Sequence, residues 1–154
     1  MRIQRNQRGG STVEFALVGP LLFVLLFGIV EFAVAFFNQA MITNASREGA
    51  RQGIVFRVTG TGQLNPLSAT EIQAIVTNAL VDAGTGRSRL ISFVGTPTHT
   101  TVVTGAGGSA GAALRVDVFH NYQFLVFRPL VALLGEDTFP GTLGLRASTV
   151  MRME

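Results

Sequence analysis

The sequence predicts an α+β protein in which a long N-terminal transmembrane helix precedes a small domain, with one helix packed on a mostly antiparallel sheet of three or four strands. Residues 15–37 form a continuous apolar stretch, and residues 68–80 combine a capping box with apolar side chains at helical spacing. Residues 89–153 contain several short stretches typical of strands. The predicted parts are a cytoplasmic basic leader at 1–9, the long helix at 10–52 and an extracytoplasmic domain at 53–154.

The charge of the chain is concentrated in the leader. All 12 basic residues are Arg, and three of them (Arg2, Arg5 and Arg8) lie in the leader, so nine Arg face nine acidic residues in the rest of the chain. A net charge near zero creates no field that attracts a phosphate backbone, so nucleic acid is not an expected partner. The absence of Cys excludes disulfides, thiolate zinc sites and a cysteine nucleophile.

The apolar stretch 15–37 is long enough to cross a bilayer. As a helix, its 23 residues cover about 35 Å, compared with about 30 Å of hydrocarbon. Three Arg precede the stretch and none follows until Arg47, which predicts a cytoplasmic N-terminus and an exported C-terminus. Helical periodicity continues to residue 52, so about half of the helix would project beyond the membrane.

A cleaved secretory signal is the main alternative. Ala33-Val34-Ala35 has the small-x-small form of a signal peptidase site, and removal of the helix would leave a secreted binding domain. If the helix stays, it could also be a simple anchor for such a domain. The length of the apolar stretch and Glu14 at its start argue against cleavage. An extracytoplasmic hydrolase, the third hypothesis, lacks a visible catalytic set.

The segment Arg8-Gly9-Gly10-Ser11-Thr12-Val13-Glu14-Phe15 resembles the processing site of TadE-like pseudopilins, the minor pilin-like proteins of Tad (Flp, type IVb) pilus systems. The runs VEFALVGPLL, NASREGARQG and ASTVMRME are similar to TadE-like sequences as well, and the resemblance is strong over residues 8–52. It implies a pilin-like fold and cleavage by a prepilin peptidase between Gly9 and Gly10. Glu14 and Phe15 then become the fifth and sixth residues of the mature chain.

The resemblance also implies the partners and location of the protein. Expected partners are the prepilin peptidase, other pilin or pseudopilin subunits, inner-membrane Tad assembly proteins and the lipid bilayer. No cofactor, small-molecule substrate or catalysed reaction is expected. The chain would reside in the bacterial inner membrane and could enter the extracellular pilus. By analogy with pilins, Glu14 would pair with the N-terminal amine of a neighbouring subunit, since a carboxylate inside a membrane needs a partner.

Three further features of the long helix are candidates for assembly. Gly19-Pro20 predicts a helix break, because Pro removes a backbone donor and clashes with the carbonyl group one turn earlier. Glu31 is either a carboxylate at the outer interface, the favoured interpretation, or a contact with an Arg of another subunit. Arg47 and Arg51, spaced i and i+4, form a basic stripe that either meets an acidic partner or is solvated.

The small domain begins with a short apolar stretch at 54–58 and a turn-rich loop at 59–66. Ser68 and Glu71 have capping-box spacing and start an amphipathic helix that we expect to end at Gly84. Predicted strand segments follow at 89–95, 98–105, 112–124 and 143–153. The connection 124–139 is unusually apolar, which leaves core, membrane-facing flap and subunit interface as interpretations.

The polar residues of the domain suggest no chemistry. His99 and His120 lack acidic neighbours at metal-ligand spacing, and residues 105–110 fit G-x-G-x-x-A but precede a strand, which favours a hairpin loop over a nucleotide site. The spacing of the carboxylates does not converge, and Asp117 is expected to be solvated. The carboxylates considered are Asp82, Asp117, Glu136 and Asp137.

Overall fold

A computed structural model of the chain describes residues 8–58, 64–127 and 141–154. Its elements confirm the predicted α+β class, with a long N-terminal apolar helix, a second short helix and a three-stranded antiparallel sheet. In chain order they are α1 (Arg8–Gly53), β1 (Arg57–Val58), β2 (Leu64–Asn65), α2 (Ala69–Leu80), β3 (Thr100–Thr104), β4 (Ala113–Gln123) and β5 (Thr142–Arg152).

Three sequence predictions lie wholly or partly outside the described residues. They concern residues 1–7 of the leader, residues 59–63 of the turn-rich loop, and the apolar connection from residue 128 onward, which includes Glu136 and Asp137. Only residues 124–127 of that connection are described.

The main sheet has the order β3-β4-β5, with both pairs antiparallel. The β4–β5 ladder runs from Ala113 opposite Arg152 to Gln123 opposite Thr142. Alternation along β4 turns Leu114, Val116 and Val118 towards the core, where all three are fully buried. The loop between β3 and β4 contains the glycine-rich residues 105–110, so the hairpin interpretation of that motif is confirmed.

The second half of α1 packs against α2, β4 and β5, and its small residues allow a close approach. A Cβ atom added to Gly49 would lie 2.6 Å from Val76 Cγ2, and one added to Gly53 would lie 2.5 Å from Leu114 Cδ2. Distances this short are not tolerated in a packed core. Glycine at these two positions therefore fixes how closely the three elements pack.

Helix α2 begins as the sequence predicts and ends earlier. Ser68 accepts from the Glu71 amide, and the Glu71 carboxylate accepts from the Ser68 amide, which confirms the capping box. The helix ends at Leu80, not at Gly84, because Val81 becomes extended and pairs with Ser88. The following turn is held by Asp82, whose carboxylate accepts from the amide and hydroxyl of Thr85.

The predicted strand at 89–95 is wrong. These residues adopt bends and irregular structure, although Leu90 is buried in the core. The backbone of Ile91 bonds a side chain in α1 and not a neighbouring strand: the Asn38 amide group donates to the Ile91 carbonyl at 2.7 Å, and its oxygen accepts from the Ile91 amide at 2.8 Å. Asn38 thus takes the place of a strand partner.

Replacement of Asn38 should show how far the stability of the fold depends on its bonds to the Ile91 backbone. Asn38 is fully buried, so Asn38→Ala leaves the Ile91 backbone groups without partners and should lower the free energy of unfolding by about 1 to 3 kcal/mol. Asn44→Ala, at an exposed position of the same helix, is the control and should change it by less than about 0.5 kcal/mol. Denaturant unfolding in detergent, followed by circular dichroism, measures both; equal effects would contradict this role of Asn38.

Candidate functional site

Helix α1 consists of two halves with different surroundings. Along residues 13–37, 15 large apolar side chains are exposed, with exposed fractions from 44% at Phe37 to 74% at Leu17. Contacts with the small domain begin at Gly28 and Glu31, and from Asn38 onward they bury a continuous face of the helix. Within the described part of the chain, α1 is the one helix long and apolar enough to cross a membrane. Its uncovered first half is the candidate site.

The predicted processing and assembly residues lie at the free end of α1. The helix begins at Arg8, so the bond between Gly9 and Gly10 lies in its first turn. A Cβ atom on Gly10 would meet nothing within 4 Å, so none of the described residues packs over this position. Glu14 and Phe15 are exposed, and among the described residues no side chain or amide pairs with the Glu14 carboxylate. The end of the helix is therefore accessible to another protein.

The structure does not show the break predicted at Gly19-Pro20. Helix α1 is continuous from Arg8 to Gly53 with Pro20 inside it. Proline removes one amide donor, but the hydrogen bonds of the turns before and after it remain, and membrane helices tolerate this loss. The ring of Phe15 packs beside Gly19, 3.7 Å from the position of a Cβ atom.

Glu31 has a partner that the sequence did not indicate. Its side chain is 2% exposed, and its carboxylate accepts from three consecutive backbone amides: those of Leu125, of Val126 at 2.8 Å and of Phe127 at 3.4 Å. The structure thus replaces the expected interfacial carboxylate with a bond inside the chain. Backbone amides have no residue signature, so the only available signal was the apolar connection that supplies them.

The basic stripe is largely neutralised within the helix. Arg51 donates two hydrogen bonds to Glu48, at 3.0 and 2.7 Å, and these bonds lower the pKa of Glu48 and raise that of Arg51. Arg47 is exposed and has no ion-pair partner among the described residues. Of the two candidate contacts, Arg47 is therefore the one whose charge remains available to another protein.

The titratable groups of the domain serve its structure. His120 is buried, with Nδ1 2.7 Å from the Thr98 carbonyl oxygen, while His99 is half-buried and its pKa is lowered by burial and by His120. Asp82 belongs to the turn that follows α2, whereas Asp117 lies in β4. No group of three or more metal-binding side chains occurs in the described parts of the chain.

The expectation that Asp117 is solvated is wrong. Its carboxylate is 6% exposed and lies between two guanidinium groups, accepting from Arg115 at 2.7 Å and from Arg146 at 3.2 Å. These bonds lower the pKa of Asp117 to about 2, with the Arg115 bond as the largest cause. Arg146 also lies over the ring of Phe119, so the cluster covers part of the outer face of the sheet.

Comparison with known protein families gives a match within the long helix. The family model described as TadE-like protein matches residues 9–51. This confirms the resemblance inferred from residues 8–52. The matched segment coincides with α1 and includes none of the small domain. No curated protein and no solved structure matches the chain.

The ion pairs of Asp117 predict a pH-dependent contribution to stability. Because its folded pKa lies below its ordinary value of 3.8, the contribution is present above pH 4 and is lost as the pH falls through about 2. Asp117→Asn should therefore lower the free energy of unfolding by roughly 1 kcal/mol at pH 7, after allowance for the solvent around the two Arg. Unfolding at a series of pH values should show the difference from the parent chain shrinking between pH 4 and 2. A constant difference would contradict the assignment.

Proposed function

We propose that this chain is a pseudopilin that acts in the assembly of a Tad-type adhesive pilus, and that it works by packing the uncovered half of α1 against other subunits. The observation that carries the proposal is the division of α1, whose second half forms the core of the small domain while its first half exposes an apolar surface. The TadE-like match covers this helix.

An exposed apolar surface of this length needs a cover. Contiguous exposed apolar side chains on a protein mark sites of association with proteins or membranes. Before assembly, the bilayer supplies the cover, with the basic leader in the cytoplasm and the small domain on the other side of the inner membrane. In the pilus, the same side chains pack against the helices of neighbouring subunits. The two states use one surface, so no rearrangement of the small domain is required.

Glu14 gives the packing its register. A charged side chain at the centre of a membrane helix costs about 2.5 to 3.5 kcal/mol on insertion scales, and less near the interface. Cleavage after Gly9 creates a new amine at Gly10, and the Glu14 carboxylate, exposed in the single chain, can bind the amine of a neighbour. Arg47, which is exposed on the part of the helix beyond the membrane and has no ion-pair partner in the described residues, is a second candidate contact.

The proposal assigns no reaction to the chain, and the structure favours it over the secreted alternative. Ala35, the last residue of the signal peptidase motif, is 3% exposed and belongs to the core cluster. Cleavage after it would also remove Glu31 and Phe32, and with them the acceptor of three amides and a ring that packs on Phe124 and Phe127. A domain released in this way would lose part of its own packing.

Leader processing tests the proposal. In cells with an active prepilin peptidase, the intact mass and N-terminal sequence of the membrane-extracted chain should show a start at Gly10 with α1 retained. Without the peptidase, the chain should start at Met1. Gly9→Leu should block processing, because the resemblance implies a cut after a Gly, whereas the control Gly10→Ala leaves that Gly in place and should still be processed.

Two results would contradict the proposal. A start at Phe36 would mean that a signal peptidase releases a secreted domain. A start at Met1 despite an active peptidase would leave an ordinary membrane anchor.

A further inference from the structure

The small domain and the apolar part of α1 overlap. The apolar stretch continues to Phe37, but the first contacts with the domain occur earlier, at Gly28 and Glu31. The ring of Phe127 comes within 3.0 Å of the position that a Cβ atom on Gly28 would occupy. The residues that follow β4 therefore lie alongside a part of α1 that is apolar enough to be inside a bilayer.

The length of the membrane span shows how far below the outer boundary of the bilayer the two parts overlap. About 20 helical residues cross the hydrocarbon, so a span within 15–37 ends somewhere between residues 34 and 37. Gly28 then lies six to nine residues inside the outer boundary, which is about 9 to 14 Å along the helix. Glu31 lies three to six residues inside, or about 5 to 9 Å. Phe127 is consequently below the outer boundary for every position of the span.

Backbone amides at this depth must have acceptors. An unsatisfied amide in hydrocarbon costs several kcal/mol, so irregular backbone is found there only where protein covers it or where it lines a water-filled cavity. The amides of Leu125, Val126 and Phe127 all donate to Glu31. The same three bonds provide the buried carboxylate with partners. Glu31 and these three amides thus satisfy each other, which lowers the cost of placing them in an apolar environment.

The side chains around this contact are apolar as well. The rings of Phe32, Phe124 and Phe127 pack edge to face, with centroids 5.6 to 6.1 Å apart. Between Phe127 and α1 lies an open groove of about 670 Å³, lined by apolar side chains and Gly28. Leu125, two residues before Phe127, is 49% exposed.

We propose that residues 124–127 insert into the outer leaflet of the bilayer beside α1, with Leu125 in contact with acyl chains and Glu31 as the positioning residue. This inference rests on the proposed function, because it requires α1 to span the membrane. It gives the chain a second membrane contact and sets the depth of the small domain.

The composition of the chain permits a direct measurement, because it contains no Trp. Three single-Trp variants of the full chain, each at an exposed apolar position, are reconstituted into phosphatidylcholine vesicles with brominated acyl chains: Leu125→Trp, Leu25→Trp in the apolar stretch, and Val150→Trp on β5. The lipid should quench the Leu125 and Leu25 variants to a comparable extent. The Val150 variant should keep its fluorescence and be quenched by aqueous iodide.

A second variant tests the role of Glu31. Glu31→Ala removes the acceptor of the three amides, so the Leu125→Trp variant should lose most of its lipid quenching while the Leu25→Trp variant keeps it. Glu48→Ala, which removes an exposed carboxylate that pairs with Arg51, is the matched control and should leave both unchanged. Unchanged quenching in Glu31→Ala would refute the positioning role.

The outcomes separate this inference from the proposed function. Quenching of the Leu25 variant without the Leu125 variant would refute insertion and leave the membrane span intact. If neither brominated lipid nor iodide quenches the Leu125 variant, insertion would be refuted, and a second copy of the chain would be the cover of this residue. Absence of quenching in the Leu25 variant would contradict the membrane span itself.

Discussion

The packing of the second half of α1 on α2 and the sheet is the contact on which the rest of the structure depends. It relies on small residues: Gly49 and Gly53 allow Val76 and Leu114 to approach the helix backbone, and Ser46 is fully buried. The Ser46 hydroxyl group donates to the Val116 carbonyl at 2.8 Å, which ties the helix to the central strand. Because α1 supplies one wall of the core, the small domain and the apolar N-terminal helix form one packed structure.

The same continuity explains why the two carboxylates in the first half of α1 have different surroundings. Glu31, at the end nearest the domain, is buried and bonded to amides of its own chain. Glu14, at the free end, is exposed. A charge inside an apolar environment requires compensation in both places. The fold provides it for Glu31, whereas under the proposed function Glu14 obtains it from a neighbouring subunit.

The sequence predicted the features that depend on local periodicity. The long apolar helix, the Ser68 capping box and the alternation of β4 are patterns of neighbouring residues, and the structure contains all three. Two of the errors have another cause, since each involves a partner distant along the chain. Residues 89–95 have the composition of a strand, but Asn38 bonds the Ile91 backbone. The alternation along β4 places Asp117 on the face away from the core, which predicts a solvated side chain, but Arg146 of the neighbouring strand covers it.

Photo-crosslinking along α1 tests the central claim, that its uncovered half packs against other pilus subunits, most directly. A photoreactive phenylalanine analogue replaces Leu22, which is 50% exposed, in cells that assemble pili, and the same analogue at Val150 is the control. The account predicts an adduct at Leu22 with a second small subunit whose peptides include a processed N-terminus and an apolar helix, and no such adduct at Val150. Adducts with phospholipid alone, or the same protein adduct from both positions, would contradict it.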